Sequence, residues 1–511
     1  MDLPNKLIVR NTTLNLLGLV VPLAVGFVTI PMVVRALGNE RFGILALVWV
    51  VFGYFGLFDL GLGRTATRYA ADCLGRNDQA TLPAYLWTTV SLQTAIGLLA
   101  ACLSHLAAPL IVRRVLNIPA GFEAETILTL RLVGWSLPVM FVASSFRGVL
   151  EAAQRFDLVN AVKVPVNILF YVLPLVGVAA GFALPGIVVL LVVSRLAALF
   201  VWAGMAVRQL PVLATDLRPR RDLVRPLVSF SGWLGLSGIL YAVTTSLDRL
   251  VIGSLITVEA VTFYSAPSEA LNRLGVVPGS LSMVLFPAFS LLDAGGREEK
   301  TEALFARSVK FLLLSTGPIF IALMFFAGDF LRLWLGPEFA AQSTLVVQVL
   351  AAAFLINTVS AVPNSYLIGI GRVDLAPKYQ TVEALVFAGL VFAGAKLGGI
   401  KGVAAATALR LAAFTVFLLA ASFKAGRIRP GFVWRSGPDR VVAGLVLLAA
   451  ALAGNAALGG GMWGAGAALL AFAAATYLWL LSGEEKAFIA GALRLRQAAA
   501  TADAPGPEVG R

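Results

Sequence analysis

Charge is scarce in this 511-residue chain: Asp, Glu, Lys and Arg together make up 13% of it, about half their usual share in a soluble domain. So little polar surface cannot cover a water-soluble fold of this size, which excludes an ordinary soluble enzyme. Histidine occurs once, as His105, and cysteine twice, as Cys73 and Cys102. A zinc cage, a CxxC redox pair or a disulfide framework needs more such residues or closer spacing, so no metal, thiol chemistry or cofactor is expected. No GxxxxGK[ST] phosphate loop occurs, and no soluble stretch is long enough for a nucleotide-binding domain, so ATP hydrolysis is not expected. The longest loops run about twenty residues, too short for the external domain of a membrane glycosyltransferase, and the chain reads as a non-enzyme.

What fills the sequence instead is apolar: 59% hydrophobic residues and a mean hydropathy of +0.88. A helix crossing about 30 Å of hydrocarbon needs roughly 20 mainly apolar residues. About fourteen runs qualify, near residues 14–34, 43–62, 83–107, 127–147, 159–179, 184–206, 227–247, 260–290, 309–329, 342–366, 379–396, 401–422, 440–458 and 462–481. They lack the alternation of barrel strands and are too long for it, so the expected class is an all-α polytopic membrane protein.

Forty Lys and Arg against 27 Asp and Glu leave a formal charge of +13, a balance that in a soluble chain would suggest nucleic acid. Its distribution suggests a bilayer. With a cytoplasmic amino terminus, 28 basic residues fall in inner segments and 10 in outer ones, Arg195 and Arg410 lying within spans. The positive-inside rule then puts both termini in the cytoplasm, in a multi-pass protein of the inner membrane with no nucleic-acid partner. The first apolar run lacks a small-residue cleavage site and reads as an uncleaved helix. The Asn11-Thr12-Thr13 acceptor pattern falls on the cytoplasmic side, where it is inert. Residues after about Gln497 read as a disordered tail.

The chain also repeats itself. Arg155-Phe-Asp157-Leu158 returns as Arg372-Val-Asp374-Leu375, 217 residues on, and Arg195-Leu-Ala-Ala198 as Arg410-Leu-Ala-Ala413, 215 residues on. Six spans, an even number, separate the copies, so both halves share one orientation about an axis along the membrane normal. The expected organisation is two pseudo-symmetric six-helix bundles, 1–208 and 227–425, around a central cavity. A cytoplasmic linker at 209–226 joins them, two further helices follow at 426–483, and the tail is 484–511.

Several segments carry a resemblance. Ile30-Pro31 through Arg35-Ala-Leu-Gly38-Asn39-Glu40-Arg41-Phe42-Gly43 forms one, and Phe58-Asp59-Leu-Gly61-Leu-Gly63-Arg64 another. Leu116-Asn117-Ile118-Pro119 and Phe286-Pro287-Ala288 complete the set. Together they resemble the polysaccharide-transporter (Wzx-type O-antigen flippase) branch of the multidrug/oligosaccharidyl-lipid/polysaccharide flippase superfamily, over roughly residues 10–425. The resemblance implies two bundles that open a cavity alternately to either side, with two extra carboxyl-terminal helices. It also implies translocation of a polyprenyl-(pyro)phosphate-linked oligosaccharide for O-antigen or exopolysaccharide assembly, with a polysaccharide polymerase or ligase as partner. Two rival readings stay open: a cation-coupled multidrug exporter of the same superfamily, whose cavity should be acidic, and a non-transporting membrane scaffold for polysaccharide enzymes.

Charges within spans are the candidate site residues, because an ionised Arg at the bilayer centre costs about 2.5–3.5 kcal/mol on insertion scales. Arg195 and Arg410 lie roughly ten residues into their spans. Each is either a cavity cation offering a bidentate fork to lipid phosphate or one half of a structural ion pair. Asp59 with Arg64, Asp248 with Arg249, and Glu269 with Arg273 are coupling or gating candidates, each with a structural alternative: a cap, an interfacial salt bridge and an intrahelical pair. Lys163 and Glu383 lie near inner span ends and are expected to reach the interface.

Overall fold

The computed structural model describes residues 21–486 apart from 23, 59–61, 77, 79, 296, 373, 426–427, 436, 459–460 and 482–485. The expectations for Asp59, the inert acceptor pattern and the tail lie outside the described residues. Among the described residues all regular structure is helical. The helices are α1 (Ala24–Leu37), α2 (Asn39–Phe58), α3 (Leu62–Gly75), α4 (Leu82–Leu110), α5 (Glu123–Trp135), α6 (Leu137–Ala152), α7 (Phe156–Ala179) and α8 (Leu184–Gln209). After the linker come α9 (Arg221–Leu255), α10 (Val258–Arg273), α11 (Val276–Ala294), α12 (Glu298–Trp334), α13 (Pro337–Thr358) and α14 (Ala361–Gly369). The chain ends in α15 (Leu375–Lys424), α16 (Pro430–Arg435), α17 (Pro438–Ala457) and α18 (Gly461–Ala475).

Nine helical stretches among the described residues are long and apolar enough to cross a membrane. The number is below the fourteen expected spans partly because Lys378–Lys424 carries two of them and because Ala24–Leu37 and Gly464–Leu480 are short. Within α15 the division falls at Gly399, whose φ of +56° reverses the chain where a β-carbon would clash. The two arms then approach so closely that a β-carbon on Gly402 would lie 2.0 Å from the Gly394 carbonyl oxygen. The expected span 260–290 is broken instead of continuous. At Leu274 and Gly275 the backbone tightens to i→i−3 bonds, and Pro278 follows with no amide to donate. Large apolar side chains such as Leu106, Leu385 and Leu397 stand exposed, the surface a lipid-facing helix presents.

Two compact units emerge. One comprises Met1–Val276, Ala327–Phe354 and Arg372–Phe414, the other Val277–Phe326, Leu355–Gly371 and Thr415–Arg511. In the first, α4 and α6 are joined by a buried amide: Gln93 donates to the Ser144 hydroxyl at 3.0 Å and accepts from Ser145 at 2.6 Å. Small and hydroxylated residues suit helix contacts in lipid, where apolar burial gives no driving force. In the second, the Glu302 carboxylate accepts from the Arg429 backbone amide at 2.6 Å and from its guanidinium at 2.8 Å. This pins the approach to α16 against the start of α12, and the carboxylate holds the Arg429 side chain above its ordinary pKa.

Contacts from the first half of the sequence to the second lace one end of the first unit. Asn39, opening α2, donates to the Glu338 carboxylate at 3.0 Å and accepts through its carbonyl from Thr262 at 2.6 Å. The Asn117 side chain donates to the Ile256 carbonyl at 2.6 Å, its amide to the Gly253 carbonyl at 2.8 Å, and the Trp334 indole to the Phe27 carbonyl at 2.8 Å. At the same end α2 meets α10 through Gly43, where a β-carbon would lie 2.0 Å from the Val258 carbonyl oxygen.

Candidate functional site

α10 is the helix from which the site is built. Its start is capped by Thr257, whose side chain accepts from the Ala260 amide at 3.0 Å. Pro267 lies inside it and cannot donate to the carbonyl four residues back, that of Phe263. The Ser343 hydroxyl of α13 takes up that carbonyl at 2.6 Å, the remedy a proline-interrupted helix needs in lipid. With its first three turns buried, α10 projects Glu269 and Arg273 from its last turn, four residues apart on one face.

These two residues line a cavity of about 350 Å³ together with Trp49 and Phe170 and with Arg249 from α9. Arg273 pairs with Glu269 and also donates to the Tyr171 hydroxyl. Arg249 reaches the other oxygen of Glu269 at 3.3 Å. One carboxylate thus holds two guanidinium groups, and the charged residues lining the cavity are two arginines and one glutamate. Trp49 packs on Phe170 and Tyr171 with ring centroids 5.4 and 5.7 Å apart. The Trp49 indole nitrogen and the Ser265 hydroxyl, both at the cavity wall, are buried and have no protein hydrogen-bond partner.

Of the residues singled out from sequence, Arg249, Glu269 and Arg273 therefore come together. The expected intrahelical pair of Glu269 and Arg273 forms, but Arg249 joins it across helices. Asp248 does not face the Arg249 side chain. Its carboxylate accepts from the Tyr264 hydroxyl at 2.8 Å and from the Arg249 backbone amide at 2.8 Å, and the Thr407 hydroxyl lies 3.1 Å from that of Tyr264. Arg64 is exposed on α3. Arg195 and Arg410 are not among the residues lining this cavity. The Arg195 guanidinium lies over the Phe170 ring at 5.7 Å, and that of Arg410 over Phe387 at 4.7 Å. Arg410 also pairs with Glu383 at 3.7 Å. Glu383, expected at the interface, is buried with it.

The repeat has a structural counterpart in these pairs. Phe170 and Phe387 are 217 residues apart, as are Asp157 and Asp374, and each copy stacks its arginine on the equivalent ring. At the start of each hairpin the arginine pairs two residues on, Arg155 with Asp157 at 3.0 Å and Arg372 with Asp374 at 3.5 Å. The Lys378 ammonium, with Arg372 beside it, holds the Asp374 carboxyl below its ordinary range. Among the described residues no group of three or more His, Cys, Asp or Glu is placed to hold a metal ion.

The sequence profile of a family described as polysaccharide biosynthesis protein matches residues 8–292. A Shigella flexneri protein named "Putative O-antigen transporter" is 23% identical over 416 residues, covering 79% of this chain and 95% of that protein. The teichuronic acid biosynthesis protein TuaB of Bacillus subtilis is 22% identical over 355 residues, 68% of either chain. Among solved structures, a multidrug resistance MATE family transporter of the MOP superfamily in its inward-facing conformation superposes with a TM-score of 0.69 at 14% identity, covering 80% of this chain and 97% of its own. Lipid II flippase MurJ in an inward closed conformation also scores 0.69, at 12% identity, covering 90% and 98%. The fold is therefore that of these transporters, and the chain belongs to the polysaccharide biosynthesis protein family.

Proposed function

We propose that this member of the polysaccharide biosynthesis protein family is a flippase. It carries a polyprenyl-(pyro)phosphate-linked oligosaccharide from the cytoplasmic to the outer leaflet of the inner membrane, for surface polysaccharide assembly. The observation that carries the reading is the cavity in which Arg249 and Arg273 share Glu269. Two guanidinium forks on one carboxylate leave positive charge facing a void, and a phosphate or pyrophosphate is the headgroup that matches it bidentately. Lipid-linked glycans carry such a group, and the relatives' names, an O-antigen transporter and a lipid II flippase, support this substrate class. A multidrug exporter shares the fold, but a cavity meant for lipophilic cations should not be lined by two arginines against one glutamate.

Alternating access follows from where the halves touch. The two bundles, residues 1–208 and 227–425, rock about the cavity, with both termini and the 209–226 linker in the cytoplasm. On that topology Asn39, Asn117, Ile256 and Glu338 lie at the outer end, so their contacts are the outer seal and the cavity fills from the inner leaflet. Each contact is a single hydrogen bond that water replaces at little cost, which suits a seal that opens in every cycle. A polysaccharide polymerase or ligase then consumes the delivered glycan.

A flippase-deficient strain carrying the Arg249→Gln/Arg273→Gln double variant tests the reading. Surface polysaccharide should fall to the background of the empty strain while the variant still accumulates in the membrane. Wild-type polysaccharide from that variant would refute the assignment.

A further inference from the structure

We propose that the wall formed by Trp49, Phe170 and Ser265 is a saccharide subsite beside the anion site, and that it takes the sugar ring attached directly to the lipid phosphate. The proposal rests on the reading above, since the phosphate must sit against Arg249 and Arg273 for the sugar to reach this wall.

Buried polar groups without partners are rare in folded proteins, and this one wall has two. The Ser265 hydroxyl belongs to a residue 4% exposed on α10, and the Trp49 indole nitrogen faces the same cavity from α2; neither has a protein partner. Other hydroxyls on the helices around them are spent locally. Ser268 donates to the Tyr264 carbonyl at 2.6 Å, and Thr262 to Asn39. Ser265 stands out by not bonding back into its own helix.

The chemistry of the two groups narrows the ligand. An indole N–H only donates, while a hydroxyl donates and accepts. Neither carries charge, so the matching atoms are neutral acceptors: a hydroxyl, a ring oxygen or an acetamido carbonyl, not a second phosphate. Beside them the Trp49 and Phe170 rings supply an apolar surface. A pyranose presents that combination, with polar groups around its edge and C–H bonds on its face. The cavity volume of about 350 Å³ lies at the small end of ligand sites. It therefore accommodates the charged linkage and its first ring, not a whole oligosaccharide. Recognition confined to the first sugar would leave the rest of the glycan free to vary.

The test compares two probes on purified full-length protein in nanodiscs: a polyprenyl pyrophosphate and the same lipid carrying one N-acetylhexosamine. Wild type should bind the glycosylated lipid more tightly. Ser265→Ala with Trp49→Phe, which keep volume and ring but remove the two donors, should weaken the glycosylated lipid about tenfold, the scale of one lost hydrogen bond. Binding of the bare lipid should not change. The single Ser265→Ala variant, nearly isosteric, should show the same selective loss at smaller size. Equal affinity of wild type for both probes, or equal effects of the variants on both, overturns the subsite and shows that these donors meet water alone. A bare lipid that Arg249→Gln/Arg273→Gln binds as well as wild type does would instead overturn the anion site, so the two failures are distinguishable.

Discussion

Two groups of buried arginines in the same compact unit show different charge balances. At the end of α10, Arg249 and Arg273 meet one carboxylate and border an open cavity. On α15, Arg410 meets one carboxylate of its own, Glu383, and lies flat on the Phe387 ring. In the first group positive charge exceeds negative where a ligand can enter. In the second the charge is matched and the guanidinium face is covered. A buried charge in a membrane helix is costly in either place, so burial alone does not mark a binding site. Excess charge facing a void does.

The largest effect should come from unbalancing the cavity. The Arg249→Gln/Arg273→Gln double variant should lose roughly a hundredfold in affinity for a polyprenyl pyrophosphate, about one tenfold step per charge-assisted pair. Its thermal stability should stay near that of wild type. A calorimetric titration beside a melting curve separates the two, and a variant that melts early while binding normally would reverse the comparison.

Glu383→Gln should show the opposite profile. It leaves the Arg410 guanidinium buried without its carboxylate, which costs about 1–3 kcal/mol, so melting should drop clearly while translocation per folded molecule stays within about twofold. Arg195→Gln should be milder still. No carboxylate partner is observed for Arg195 among the described residues, and it touches the cavity only through Phe170. A loss of a few-fold in transport, with stability nearly unchanged, is expected from removing a cation–π contact worth about 0.5–2 kcal/mol. The smallest effect belongs to the repeat's hairpin start. Because the Asp374 carboxyl is held below its ordinary range by Lys378, the pair contributes above that range and its contribution fades as pH falls through it. Asp374→Asn should leave melting at neutral pH almost unaltered and flatten its dependence on mild acid.

Helix positions were legible because apolar length depends only on composition. The runs 159–179 and 184–206 correspond closely to α7 and α8. The break between α10 and α11 was foreshadowed by Pro278, but its residue was not, since the tightening at Leu274 depends on tertiary packing. Depth in the membrane could be counted along the chain, which is how Arg195, Arg249, Glu269, Arg273 and Arg410 were singled out. Direction around a helix axis could not be counted in apolar helices, whose faces look alike to the sequence. That is why the sequence could not foresee Arg249 joining Glu269 or Glu383 joining Arg410. Trp49, Phe170 and Ser265 gave no signal, because an aromatic or serine in an apolar run reads as packing until its polar atom is found without a partner. The Gly38 to Gly43 segment was legible only as a resemblance. Its physical reason is the close approach of α2 to the Val258 carbonyl, which a β-carbon would block.

The most direct test of the central claim is translocation by the purified protein in vesicles of a fluorescent short-chain polyprenyl pyrophosphate carrying one sugar, read by loss of accessibility to an impermeant quencher. Wild-type vesicles should move the lipid between leaflets, and vesicles with the Arg249→Gln/Arg273→Gln variant should match protein-free ones. Equal movement by wild type and the variant, or none by wild type in a membrane where the protein is folded and correctly oriented, would contradict the account.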